Sequence, residues 1–175
     1  MNTVRPGDLT WGRAKANNGL VVTVERSRRI AANVDDVFDV LTDPQTLAGL
    51  LPRVKKVEVL HRGASSARVA THMAVGPFVT IRSEGDVHWQ HNQEVVFTSR
   101  HPVTVESRWS FVPEGKETNL RVKLTVDLAP MLGPLAAMVP ADQVADVIGP
   151  DLDQVLTALA RRIEGLGVSS FCQDL

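Results

Sequence analysis

The chain has 175 residues, 43% of them hydrophobic and 22% charged, with 19 basic against 20 acidic side chains and a net charge of −1. That is the profile of one globular domain, long enough to bury roughly 70% of its unfolded surface. Scattered arginines and a near-neutral balance exclude nucleic acid or an anionic membrane as the main partner.

The one cysteine, Cys172, has no second thiol to pair with, and nothing beside it in sequence favours a thiolate. Residues 1–9 lack the basic start and apolar run of a signal peptide, and no apolar stretch is long enough to span a bilayer. A cytoplasmic location without stable membrane insertion is expected.

Residues 1–17 read as a polar extension in which Trp11 is expected to dock on the domain. The domain itself is expected over 18–166, with a loose tail over 167–175. In the first strand, Leu20, Val22 and Val24 share one face and Thr23 and Glu25 the other. Val34, Val37, Phe38 and Leu41 then take the spacing of a helix face, with Asn33 as cap and Asp35 and Asp36 at its positive end. Asp43 as cap and Pro44 as first residue start a second short helix with Leu47, Leu50 and Leu51 on its apolar side; Pro52 ends it.

From 54 to 128 the pattern is strands with tight turns: 54–61, 67–75, 78–91, 94–101, 103–112 and 119–128. The turns fall at Arg62-Gly63, Gly76-Pro77, His91-Asn92, Pro102 and Pro113-Glu114-Gly115. Such a run pairs as an antiparallel meander. Residues 129–140 form an apolar, Met-, Gly- and Pro-containing flap or short helix, expected at the pocket mouth with Leu47 and Leu50 or Leu51. A final helix from about 150 to 165 carries the stripe Leu152, Val155, Leu156, Leu159 and Ile163, with a kink or break expected at Gly149-Pro150. The fold class is α+β. A seven-stranded curved antiparallel sheet wraps a long C-terminal helix, and an apolar pocket is expected between them.

The segments Val24 to Ala32, Val37 to Pro44 and Leu51 to Val57 resemble the opening of the START/polyketide-cyclase superfamily, the helix-grip fold of the birch-pollen allergen. Leu152 to Glu164 is similar to its last helix. The resemblance spans about residues 20–166 and implies that fold. The superfamily includes carriers, cyclases and ligand sensors. Leu50-Leu51-Pro52-Arg53-Val54 and Val75-Gly76-Pro77-Phe78 are similar to its coenzyme Q-binding branch.

Strand parity supplies the candidate wall. The inward sets are Val69, Thr71, Met73 and Val75; Val79, Ile81, Ser83, Gly85, Val87 and Trp89; Val95, Phe97, Ser99 and His101; and Val103, Val105, Ser107, Trp109 and Phe111. No ionised side chain belongs to them, which fits a site for an apolar small molecule. Gly85 is where the long strand is expected to bend. The candidate ligand-binding residues are Thr71, Met73, Ser83, Trp89, Phe97, Ser107 and Trp109. Leu124 joins them from the last strand, Met131 and Met138 from the flap, and Leu152 and Leu156 from the helix.

Phosphate-loop, GxSxG, HExxH and CxxC motifs are absent, so no cofactor or metal is expected and no catalytic residue is assigned. His88 and His91 fall on opposite faces. His101 is the one inward base, without an acidic orienter. The leading function is binding or transport of a lipid, isoprenoid quinone or polyketide-like molecule. The alternatives are a polyketide cyclase/dehydratase and a ligand-independent interaction module. Cyclases of the superfamily use pocket arginine, serine and tyrosine or tryptophan. This chain has no tyrosine, and parity puts its strand arginines outside. Arg26 and Arg28 are the exceptions, sharing parity with Val22 and Val24 and able to point inward at the strand's end.

Overall fold

A computed structural model describes residues 20–75 and 77–171. The extension with Trp11, the turn residue Gly76 and Cys172 lie outside the described residues. The chain runs β1 (Val21–Ile30), α1 (Val34–Thr42), α2 (Pro44–Leu50), β2 (Val54–Arg62), β3 (Ser66–Val75), β4 (Val79–Gln90), β5 (Glu94–His101), β6 (Thr104–Glu114) and β7 (Glu117–Asp127). A short α3 (Ala129–Leu132), a 3-10 turn (Gly133–Met138) and α4 (Ala141–Phe171) complete it. The strands form one antiparallel sheet in the order β1-β7-β6-β5-β4-β3-β2, as the meander pattern predicts.

The caps are those expected from sequence. The Asn33 side chain accepts from the Asp36 backbone N–H at 3.0 Å. The Asp43 carboxylate accepts from the Gln45 N–H at 3.2 Å and from the Thr46 hydroxyl. The core gathers Leu20, Val22, Val24 and Ile30 of the first strand region, Leu120 and Val122 of β7, and Leu152, Val155, Leu156, Leu159 and Ile163 of α4. Each such side chain contributes about 1.5–3 kcal/mol of burial. α4 approaches β1 more extensively than any other strand.

Two expectations are corrected. Pro113 and Glu114 do not turn; they continue β6 and pair with Thr118 and Glu117. β5 is paired with β6 only as far as Ser110. On that side Pro113 therefore lies past the end of β5, where its missing N–H costs no ladder bond. The turn is made at Gly115, whose φ of +66° suits glycine.

At Gly149-Pro150, where a kink or break is expected, the helix is not broken. α4 is one helix from Ala141 to Phe171 with Pro150 inside it, so it starts before residue 150 and passes the boundary expected at 166. A proline there forfeits an intrahelical bond at a cost of about 3 kcal/mol. Pro150 is exposed, and flanking turns are fastened on both sides. Val144 and Ile148 pack on the core before it and Leu152 and Val155 after it. Arg53 pairs with Asp151 at 2.9 Å and Arg26 with Asp153 at 3.3 Å.

The Thr46 hydroxyl, with backbone amides and the Arg162 charge, holds the Asp43 carboxyl below the usual carboxylate value. Asp43→Ala is expected to lower unfolding free energy by about 1 kcal/mol at neutral pH. A depressed folded pKa gives stability that is present above the unfolded pKa and is lost as pH falls through the folded one. Urea melts of the two proteins should therefore converge below about pH 4. A gap that stays constant into strong acid contradicts this role for the carboxylate.

Candidate ligand-binding site

The concave face divides into a sealed half and an open half. On β1 and β7, Val22, Val24, Leu120, Val122 and Val126 are buried, as are Trp109 and Phe111 on β6. Across the adjoining strands Val87, Trp89, Phe97, Ser107 and Leu124 are only half-buried. Register makes two neighbouring rows of them: Trp89, Val95, Trp109 and Val122, then Val87, Phe97, Ser107 and Leu124. Thr71 and Ser83 pair further along, and Met73 pairs with Ile81. Met73 is 37% exposed. The expected pocket thus takes the form of a partly exposed, mainly apolar groove over β3, β4 and β5, with Val69, Val95 and Ser99 buried within it.

Individual side chains sort by what they touch. Ser83 and Ser99 lie 2.7 Å apart, and their hydroxyls reach the carbonyls of His101 at 3.1 Å and Glu84 at 2.9 Å. Thr71 donates to the Ser83 carbonyl at 3.3 Å. These hydroxyls satisfy backbone, the low-cost answer for an inward polar group. Ser107 differs. Its oxygen accepts the Trp109 indole N–H at 2.9 Å, and among the described residues its own proton has no acceptor. Trp109 is 7% exposed and belongs to the core. Leu152 and Leu156 are buried in the same cluster.

Gly85 has a more specific role than a bend. A Cβ built on it would stand 2.4 Å from the Phe97 ring and 2.6 Å from the Thr98 carbonyl oxygen, so the missing side chain makes room for both.

At one end of the sheet, β7 finishes, β4 begins, and the segment with α3 leaves. Phe78 before β4 (95%) and Met131 (49%) and Met138 (79%) after β7 are exposed. Leu50 and Leu51 pack nearer the core.

Two β-bulges decide which polar groups face the groove. In β5 the pairing jumps from Gly85↔Ser99 to Glu84↔His101. The extra residue, Arg100, reverses the parity, so His101 joins Arg68, Arg82 and His88 around a hollow of about 590 Å³ on the opposite face. The inward placement of His101 is thereby corrected. In β2 the pairing jumps from Val59↔Val69 to His61↔Arg68. Leu60 is the extra residue, and Arg62 is brought to the face of Ala67 and Val87. Its guanidinium sits 5.9 Å above the Trp89 ring. Strict alternation from Val57 and Val59 would have put His61 there, so sequence parity gave no sign of Arg62.

Arg26 and Arg28 do face α4, yet they serve it: Arg26 pairs with Asp153 and Arg28 donates to Thr157 at 3.1 Å. A second hollow of about 320 Å³ lies along α2 and is lined by Asp43, Gln45, Thr46, Gly49, Leu50 and Arg162. Among the described residues no group of His, Cys, Asp and Glu could hold a metal, and no helix is long and apolar enough to cross a membrane.

The sequence profile of one family, described as polyketide cyclase/dehydrase and lipid transport, matches residues 21–164, from β1 into α4. The chain belongs to this family. Its fold is shared with solved members of the START superfamily and neighbours of it. The ZhuI aromatase/cyclase from Streptomyces sp. R1128 is 20% identical with a TM-score of 0.68, over 82% of this chain and 94% of that one. A START superfamily protein from Mycobacterium smegmatis is 21% identical with a TM-score of 0.67, over 82% and 98%. A norcoclaurine synthase from Thalictrum flavum is 15% identical with a TM-score of 0.59, over 87% and 99%. At these identities the likeness is one of fold. Comparison with curated proteins finds no match.

The Gly85 seat can be tested directly. Gly85→Ala should displace the Phe97 ring and cost about 1–3 kcal/mol. Gly85→Ala in a Phe97→Ala background should lose the ring's share of that cost and keep the share due to the Thr98 carbonyl. A double-mutant cycle from denaturant melts measures the coupling; strict additivity would mean that the ring does not rest on this glycine.

Proposed function

We propose that the chain binds a hydrophobic small molecule of the lipid, isoprenoid quinone or polyketide-like class in the open groove, as a carrier or binding protein. The observation that supports this reading is the half-buried apolar row of Val87, Trp89, Phe97 and Leu124 beside a sealed core. Water over such a row is replaced at a gain by an apolar ligand, at about 25 cal/mol per Å². The exposed Met131 and Met138 beside one end offer adaptable side chains for a mouth.

The groove's polar groups favour binding over chemistry. Its serines at 83 and 99 are tied to backbone, and His101, the one inward base expected from parity, is turned to the other face. A general base must lie within hydrogen-bond reach of the proton that it takes. The cyclase/dehydratase reading keeps one specific support. The free hydroxyl proton of Ser107 lies among the aromatic side chains and could donate to a substrate carbonyl. Turnover lost in Ser107→Ala with binding intact would favour that reading.

The test of the binding reading is a titration with decylubiquinone or oleyl alcohol, followed by native mass spectrometry. Trp89→Ala removes a half-buried aromatic wall and should weaken binding about ten- to a hundredfold. Trp109→Ala should act on the fold instead, lowering stability by about 3–5 kcal/mol. Unchanged affinity in a folded Trp89→Ala protein would place the ligand elsewhere.

A further inference from the structure

The groove is lined mainly by apolar side chains with a few hydroxyls, and among the described residues Arg62 is the cation at its end. We infer that its ligand is an amphiphile with an anionic head, a carboxylate or a phosphate ester, and that Arg62 holds that head beside Trp89. This rests on the groove being the binding site.

Three observations carry it. First, Arg62 reaches the concave face only because the bulge at Leu60 inserts one residue into β2. An added residue interrupts the ladder, and bulges of this kind re-aim a side chain. Second, among the described residues no carboxylate lies within ion-pairing distance of Arg62, whose recorded partner is the Trp89 ring. The other arginines of the inner face are engaged, Arg26 with Asp153 and Arg28 with Thr157. On the opposite face Arg68, Arg82 and Arg108 are each paired with glutamates. Third, the cation stands at one end of an apolar track. The inward residues of β4 run from Trp89 through Val87, Gly85, Ser83 and Ile81 to Val79; Gly85 is buried against the Phe97 ring and the others are half-buried or exposed. Ten residues of strand span about 33 Å. An extended alkyl or isoprenoid tail fits that length with its head at Arg62 and its end toward Met73 and Val79. The guanidinium lies 5.9 Å from the centre of the Trp89 ring and keeps its N–H groups for two oxygens of the head.

The experiment compares oleic acid with oleyl alcohol, below their aggregation limits, on the wild-type chain and on Arg62→Gln. The two ligands share a tail and differ only in the charge of the head. The wild type should bind the acid about three- to tenfold more tightly, because the site is water-accessible and its electrostatic gain modest. The preference should shrink in about 0.5 M salt. In Arg62→Gln the ratio should fall to about one while the alcohol's affinity stays within about twofold. Octyl phosphate against octanol repeats the comparison for a phosphate head and tells which anion is preferred. Equal affinities for acid and alcohol in the wild type would overturn the inference and leave the groove reading standing. So would an acid preference that survives in Arg62→Gln. Failure of both ligands to bind would overturn the two together.

Discussion

The docking of α4 against β1 governs the rest of the molecule. Seven strands at about 4.8 Å spacing make a sheet nearly 30 Å wide, whereas one helix with its side chains is about 10–12 Å across. A single helix must leave much of the concave face uncovered. α4 lies at the β1 side, where Leu152, Val155, Leu156, Leu159 and Ile163 close over Val22, Val24, Leu120 and Val122. Ion pairs from Arg26 and Arg53 hold its first half in place. The least covered part is the inner face of β3, β4 and β5, where Val87, Trp89, Phe97 and Met73 are partly exposed around buried Val69, Val95 and Ser99. A groove there is the geometric remainder of how the core is closed.

What the groove offers to a ligand depends on small departures from regular pairing. The bulge at Arg100 removes an imidazole from the concave face, and the Ser83 and Ser99 hydroxyls bond the carbonyls around it. The bulge at Leu60 delivers a guanidinium. Gly85 keeps the floor flat enough for the Phe97 ring. The result is an aromatic and aliphatic surface with one spare hydroxyl, Ser107, and one cation at the rim. Such a surface suits recognition by apolar contact with a few polar anchors. Among the described residues it presents no paired acid and base.

Much of this was legible in the sequence, and the exceptions have identifiable causes. Strict alternation in 119–128 and the helix spacing of 152–163 each bury one face, so they reported architecture reliably. The caps at Asn33 and Asp43 were legible because their chemistry is local. The expected inward row held wherever pairing is regular, as for Trp89, Phe97, Ser107 and Trp109. It failed at His101 and overlooked Arg62, because one extra residue in a strand inverts all later parity and carries no residue signature of its own. Pro113 and Pro150 misled for a related reason. Proline breaks an element only where its missing N–H was needed, and that depends on where β5 ends and on which side of α4 faces water. Burial separated Trp109 from Trp89, which sequence treats alike.

The central claim is that the open inner face of β3, β4 and β5 is where an apolar ligand sits. Methyl-detected NMR during a titration with oleyl alcohol tests it most directly. The account predicts shifts concentrated at Val87, Leu124, Ile81 and Met73, with Val24, Leu156 and Leu159 of the sealed half unmoved. Shifts confined to the sealed half, or absent from the groove while the ligand is bound, would contradict it.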